Sequence, residues 1–167
     1  MSWQPVNKTI EEKPLIDNLL AFMAANQESA LEWANGEPGL KAFVKMHNSA
    51  TGRVDTIFPV LMISSTRLLT DLDGDLLEAV WQIEIEMAVA GPKADAATVL
   101  SHKYVQAVES MLANIPGRTL TNDCEAVQIA VLRKLATEFD VLRRRSANEF
   151  LQVAVIGAEW TLRAASY

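Results

Sequence analysis

The side chains able to do chemistry in this chain are few, and their spacing decides what they can do. His47 and His102 are far apart, and neither has a second His, Cys or carboxylate at metal-ligand spacing such as H-x-x-x-H. Each reads as a surface or satisfied histidine. Cys124 is the only cysteine; as a nucleophile it would need a base nearby, and its sequence context supplies none, so a quiet thiol is expected. No serine sits in G-x-S-x-G, and the glycines form neither G-x-x-x-x-G-K-[ST] nor G-x-G-x-x-G. No catalytic residue, metal ligand or cofactor site is expected, and no enzymatic role.

Charge gathers at three places. Asp71, Asp73 and Asp75 match the opening D-x-D-G-D of a calcium loop, but no glutamate follows at the required position and a strand comes next. A solvated hairpin tip is the expected reading. Glu78, Glu84 and Glu86 share one face of that strand, where alternation alone calls for polar residues. Arg143, Arg144 and Arg145 form a compact basic turn, suited either to solvent or to an acidic partner.

Bulk composition narrows the classes. The chain has 167 residues, enough for one domain spanning 1–167; 50% are hydrophobic and 22% charged, a globular balance rather than a disordered one. Lys+Arg number 15 against Asp+Glu 21, a net charge of −6, which argues against gripping nucleic acid through phosphate neutralisation. The single cysteine rules out an intrachain disulfide and suits a reducing cytoplasm. No signal peptide and no apolar run of ~18 residues is visible, so no membrane partner is expected.

These residues must be positioned by a simple order of elements. Thr9–Glu12 fits a capping box ahead of a helix whose apolar face is Leu15, Leu19, Phe22 and Met23. Glu28 to Ala34 continues that helix or forms a second piece, ended by Gly36-Glu37-Pro38-Gly39. Strands are expected over 42–46 and 56–66, with Pro59 marking an edge or a bulge. The clearest strand starts at Leu77: Leu77, Ala79, Trp81, Ile83, Ile85, Met87 and Val89 alternate with polar residues, as in a half-solvated antiparallel sheet. Gly91-Pro92 stops it, and Asp95 is positioned to cap a helix with Val99 or Leu100, Tyr104, Val108, Met111 or Leu112, and Ile115 inward. Two more strands follow, over 126–141, broken near Lys134, and over 149–163, where Gly157 hints at a bulge. The fold expected is α+β: two helices packed on one face of a mostly antiparallel sheet in two layers.

The run from Val80 to Gly91, then Pro92-Lys93-Ala94-Asp95, then the helix from Ala96 through Tyr104 to Val108, resembles the tail terminator and tail completion proteins of long-tailed bacteriophages. In that family an amphipathic helix precedes antiparallel strands, a hairpin feeds a second helix, and a final hairpin closes the sheet. The resemblance covers 9–164, with 36–53 and 116–125 unmatched. It implies a ring, a hexamer, that caps the tail tube and meets a head-side connector or neck protein, while DNA passes through without specific binding. It further implies a virion location, with assembly in the host cytoplasm.

On that reading the acidic tip (Asp71, Asp73, Asp75) and the basic turn (Arg143, Arg144, Arg145) are candidate subunit contacts, because cyclic rings join unlike patches. Glu84 and Glu86 are candidate lumen-facing residues, where repulsion would keep DNA from stalling. Besides a bacterial regulatory or toxin-neutralising protein with one defined partner and no ring, two alternatives remain open at this level. One is another phage neck, head-completion or tail-tube subunit. The other is a small ligand-binding or hydrolytic domain, whose mark would be a deep pocket holding His47, His102 or Cys124 beside a carboxylate.

Overall fold

The computed structural model describes residues 13–48, 57–73, 76–115, 117–121 and 127–164. The capping box at Thr9–Glu12, Asp75 and Cys124 lie outside them.

Helix α1 (Lys13–Asn35) is one continuous element. Leu15, Leu19, Met23 and Leu31 are buried along one i, i+4 row. The row is interrupted by Gln27, whose Oε1 accepts the Phe43 amide at 2.9 Å and ties the incoming chain to the helix. Gly36, at φ 75°, ends α1, its amide donating back to the Glu32 carbonyl at 2.9 Å. The segment after it is strapped to helix α2 (Ala94–Ala113): Tyr104 Oη donates to the Lys41 carbonyl at 2.6 Å, and the Phe43 and Tyr104 rings meet edge-on at 5.2 Å. Those contacts use up Phe43, so strand β1 begins later than expected, at Lys45–Asn48.

The remaining strands are β2 (Val60–Asp73), β3 (Leu76–Gly91), β4 (Gly117–Thr121), β5 (Val127–Phe139), β6 (Arg143–Ser146) and β7 (Glu149–Ala164). They form a sheet in the order β1-β2-β3-β7-β5-β4, with β6 also on β7. Among the described strands only β1–β2 is a parallel pair. The α+β expectation thus holds.

Alternation in β3 sets the layers. Ala79, Trp81, Ile83, Ile85, Met87 and Val89 are buried against Ala154, Ile156, Ala158, Trp160 and Leu162 of β7 and the apolar sides of both helices, in one core cluster. The opposite face carries no helix among the described residues. Burying these side chains, at ~1.5–3 kcal/mol for each large one, is the main stabilisation of the two-layer arrangement.

Several local expectations are corrected. Pro59 lies just before β2, after a cis Phe58–Pro59 bond, and the register shift in β2 falls between Arg67 and Leu69 instead. Lys93, in an extended conformation, is the N-cap of α2, with no side-chain cap; Asp95 sits in the first turn and accepts the Ala96 amide at 2.9 Å. Leu100 rather than Val99 turns inward; Val99 is 55% exposed. No bulge occurs at Gly157, which pairs in register with Glu84 and Ala136. It lacks a Cβ because the Gln82 side chain occupies that space, with Nε2 2.5 Å from where a Cβ would stand. The break expected near Lys134 is present as a register shift between Leu132 and Lys134.

Candidate functional site

The two charged clusters lie at opposite ends of one strand ladder. Asp71 and Asp73 pair with Glu78 and Leu76, at the start of β3. The arginines stand at its other end, where Arg144 pairs with Phe150 and Phe150 pairs with Gly91. Between those ends β3 runs 16 residues, roughly 50 Å at the rise of a strand. Helix α2, with 20 residues, spans only ~30 Å. Its first turns sit against the Gly91 end, where an added Cβ would meet the Ala97 amide nitrogen at 2.8 Å. The first buried side chain described on β3 is Ala79; past it the β2–β3 ladder continues to Asp73 and Leu76.

The basic segment is a strand with a short turn after it, not a turn throughout. Arg143–Ser146 form β6, and Ala147-Asn148 link it to β7. Hydrogen bonding to β7 continues from β5 through a jog at residues 140–142. There the Asp140 amide donates to the Val153 carbonyl at 2.9 Å, and Gln152, a buried polar residue, donates through Nε2 to the Asp140 carbonyl at 2.5 Å.

Each arginine has a distinct setting. Arg143 pairs with Asp140 at 2.7 Å in solvent, its side chain 66% exposed. Arg144 donates through Nε to the Ser146 carbonyl at 3.1 Å and lies 5.9 Å from the Phe150 ring centre. Arg145 is less exposed than Arg143; it pairs with Glu149 at 3.5 Å and stacks over Phe58, 4.9 Å from the ring centre. Arg143 and Arg144 therefore remain available to a partner, whereas Arg145 clasps the β6–β7 hairpin to the chain entering β2.

Glu84 and Glu86 lie on the face of the sheet that the helices leave bare. Glu84 is exposed and Glu86 half-buried. Beside Glu84, a shallow notch of about 140 Å³ is lined by Gln82, Glu84, Ala136, Glu138, Val155 and Gly157, with the glycine as its floor. Neither Glu84 nor Glu138 has an ion pair among the described residues. The face is apolar between its charges, with Val153 and Val155 half-buried.

Neither histidine lines the notch beside Glu84 or the groove between the two helices. His47, in β1, contacts the Asn48 carbonyl through Nδ1 at 3.1 Å; His102, on α2, stacks on Phe139 with ring centres 4.3 Å apart. A second hollow, about 410 Å³, is an open groove between α1 and α2 lined by Phe22, Ala30, Trp33, Met111 and polar uncharged side chains, with neither histidine in it. Among the described residues no group of three or more His, Cys, Asp or Glu could hold a metal. Among the described residues no helix is long and apolar enough to cross a membrane.

Sequence reasoning missed that groove, the exposed Trp33 in it, and the jog held by Gln152. Trp33 carried a signal, since it follows Leu31 by two positions and so cannot share its face of a helix. No protein-family model matches the chain, and no curated protein matches it.

Proposed function

We propose that this chain is a structural subunit of a phage particle. Copies form a ring, a hexamer by the family resemblance, that caps the tail tube and joins it to a head-side connector or neck protein. The observation that carries the reading is the separation of Asp71 and Asp73 from Arg143 and Arg144 along one ladder of roughly 50 Å. A ring of copies with β3 along its axis has two faces of different chemistry, one for the tube and one for the neck. Cyclic closure needs unlike patches on each subunit, and a molecule with distinct ends and distinct sheet edges supplies them.

The bare sheet face fits the lumen. With both helices on the other face, Glu84, Glu86 and Glu138 would line the channel, none of them ion-paired among the described residues. The basic residues on the same face stand opposite carboxylates, Lys134 at Glu159 and Arg163 at Glu78, so the surplus charge is negative and would keep DNA moving instead of bound. Function on this reading comes from interface complementarity, with no reaction, cofactor or metal.

The test is solution mass by light scattering across a dilution series, followed by addition of isolated tail tubes and electron microscopy. A discrete ring that binds one tube end and does not grow is the expected result. Open-ended growth would point to a tube subunit instead. A monomer that never associates with tubes overturns the reading.

A further inference from the structure

The sheet has two unfinished edges. On one side β1 covers only Val60–Ile63 of β2, leaving Ser64–Asp73 with no partner strand on that side among the described residues. On the other side β4 covers only Val127–Val131 of β5, leaving Leu132–Phe139 equally open. An unpaired row of backbone N–H and C=O groups is a template for another strand.

The directions of the two edges match. Strands β2, β3, β7 and β5 are antiparallel to their neighbours throughout, so β2 and β7 run one way and β3 and β5 the other. Rotating a copy about an axis along the strands brings its β2 beside β5 of the first copy, again antiparallel. The alternation passes from one subunit to the next without a fault. An odd number of strands between the edges would have forced a parallel junction.

Across the four strands the ladders set Ser64 level with Ala136, Arg67 with Leu132 and Asp71 with Ile129. Tilting the strands to the ring axis, as closed barrels do, slides one copy past the next by about four residues; that lays 64–71 along 132–139 and brings Asp71 to the level of Arg133. Curvature agrees with that junction. Each open stretch contains one register shift, which skips Leu68 in β2 and Arg133 in β5. Bulges bend and twist a strand, and a sheet that closes on itself needs such bends. They can also protect an edge from pairing, an effect that would leave the edge amides exchanging as fast in the assembly as in the monomer.

We infer that the open edge of β2, Ser64–Asp73, pairs with the open edge of β5, Leu132–Phe139, of a second copy of this chain, and that this is the junction that closes the ring. Closure rests on the proposed function; the pairing itself is a property of two copies.

Hydrogen exchange read by mass spectrometry on the assembled and dissociated wild-type protein tests it directly. Peptides covering 64–73 and 132–139 should slow by about tenfold or more on assembly, while the central parts of β3 and β7 stay unchanged. Leu68→Pro and Arg133→Pro, at residues skipped by the ladder, should each abolish assembly, with far-ultraviolet circular dichroism showing that the monomer is still folded. Rings whose edge peptides exchange as fast as in the monomer overturn the edge junction and leave the ring reading standing. A protein that stays monomeric at every concentration and in the presence of tubes overturns both.

Discussion

Trp81 of β3 and Trp160 of β7 are directly opposed across the two central strands, both on the face covered by the helices. The same row continues to Arg67 on one side and Leu132 on the other, and both outer strands shift register just beyond it. The indole pair therefore sits at the level where the ladders of both outer strands change step.

Truncating this pair should be the most damaging change in the core. Trp160 is 0% exposed and Trp81 8%, so Trp160→Ala should cost roughly 3–5 kcal/mol and Trp81→Ala somewhat less. Trp160 Nε1 has no hydrogen-bond partner in the described core. Trp160→Phe should therefore lose far less than the alanine variant, since it removes a buried donor whose isolation itself costs about 1–3 kcal/mol. Urea melts of the three variants check the order.

Two glycines should respond oppositely to a methyl group. At Gly91 a Cβ meets the Ala97 backbone at 2.8 Å, and the whole first turn of α2 would have to move. Gly91→Ala should cost about 1–3 kcal/mol. At Gly157 the obstacle is the tip of the Gln82 side chain, which can swing away, so Gly157→Ala should cost under ~1 kcal/mol. Equal losses in thermal melts would refute the distinction.

Tyr104 makes stability depend on alkaline pH. Burial pushes its hydroxyl from 10.0 up to about 12. The unfolded chain then releases its proton first, so the contribution is complete below pH ~10 and is lost as pH rises toward 12, by an amount on the order of 2–3 kcal/mol. Tyr104→Phe should flatten that slope in denaturant melts at pH 9 to 12, while losing about 1 kcal/mol at neutral pH with the bond to the Lys41 carbonyl. An unchanged slope in the variant would assign the effect elsewhere.

The arginines should separate by role. Arg143→Glu with Arg144→Glu should leave the melting temperature within a few degrees, because exposed pairs such as Arg143–Asp140 are worth ~0–1 kcal/mol, yet weaken assembly in light scattering. Arg145→Ala should instead lower the melting temperature, since its guanidinium packs on Phe58. A double variant that assembles normally would remove Arg143 and Arg144 from the interface.

What could be read from the residues follows from how local each signal is. Strand β3 announces itself because one face is buried and one wet, so burial is written into alternate letters from Ala79 to Val89. The inward side of α1 and α2 is legible for the same reason at helical spacing. Strand β6 is not legible: three consecutive arginines carry no burial pattern, and all four of its residues are exposed, so only pairing with β7 makes it a strand. The bulge near Lys134 shows because apolar Leu132 and Leu135 fall out of step by one, whereas the shift at Leu68 interrupts no such rhythm. The parallel β1–β2 pair lies further still from any sequence signal. The charged clusters were visible as residues, but their placement at opposite ends of one ladder is a fact of topology.

The long β3–β7 pairing has a mechanical consequence. Ladder hydrogen bonds lie perpendicular to the strands, and β3 is paired with β7 from Glu78 to Gly91. Tension between the two ends of the molecule would pull in shear on that entire row at once, whereas a sideways pull would open it one bond at a time. The chain should thus resist being stretched along β3 far better than being peeled at an edge, and pulling from attachment points at residues 73 and 148 in a force spectrometer would reveal that anisotropy.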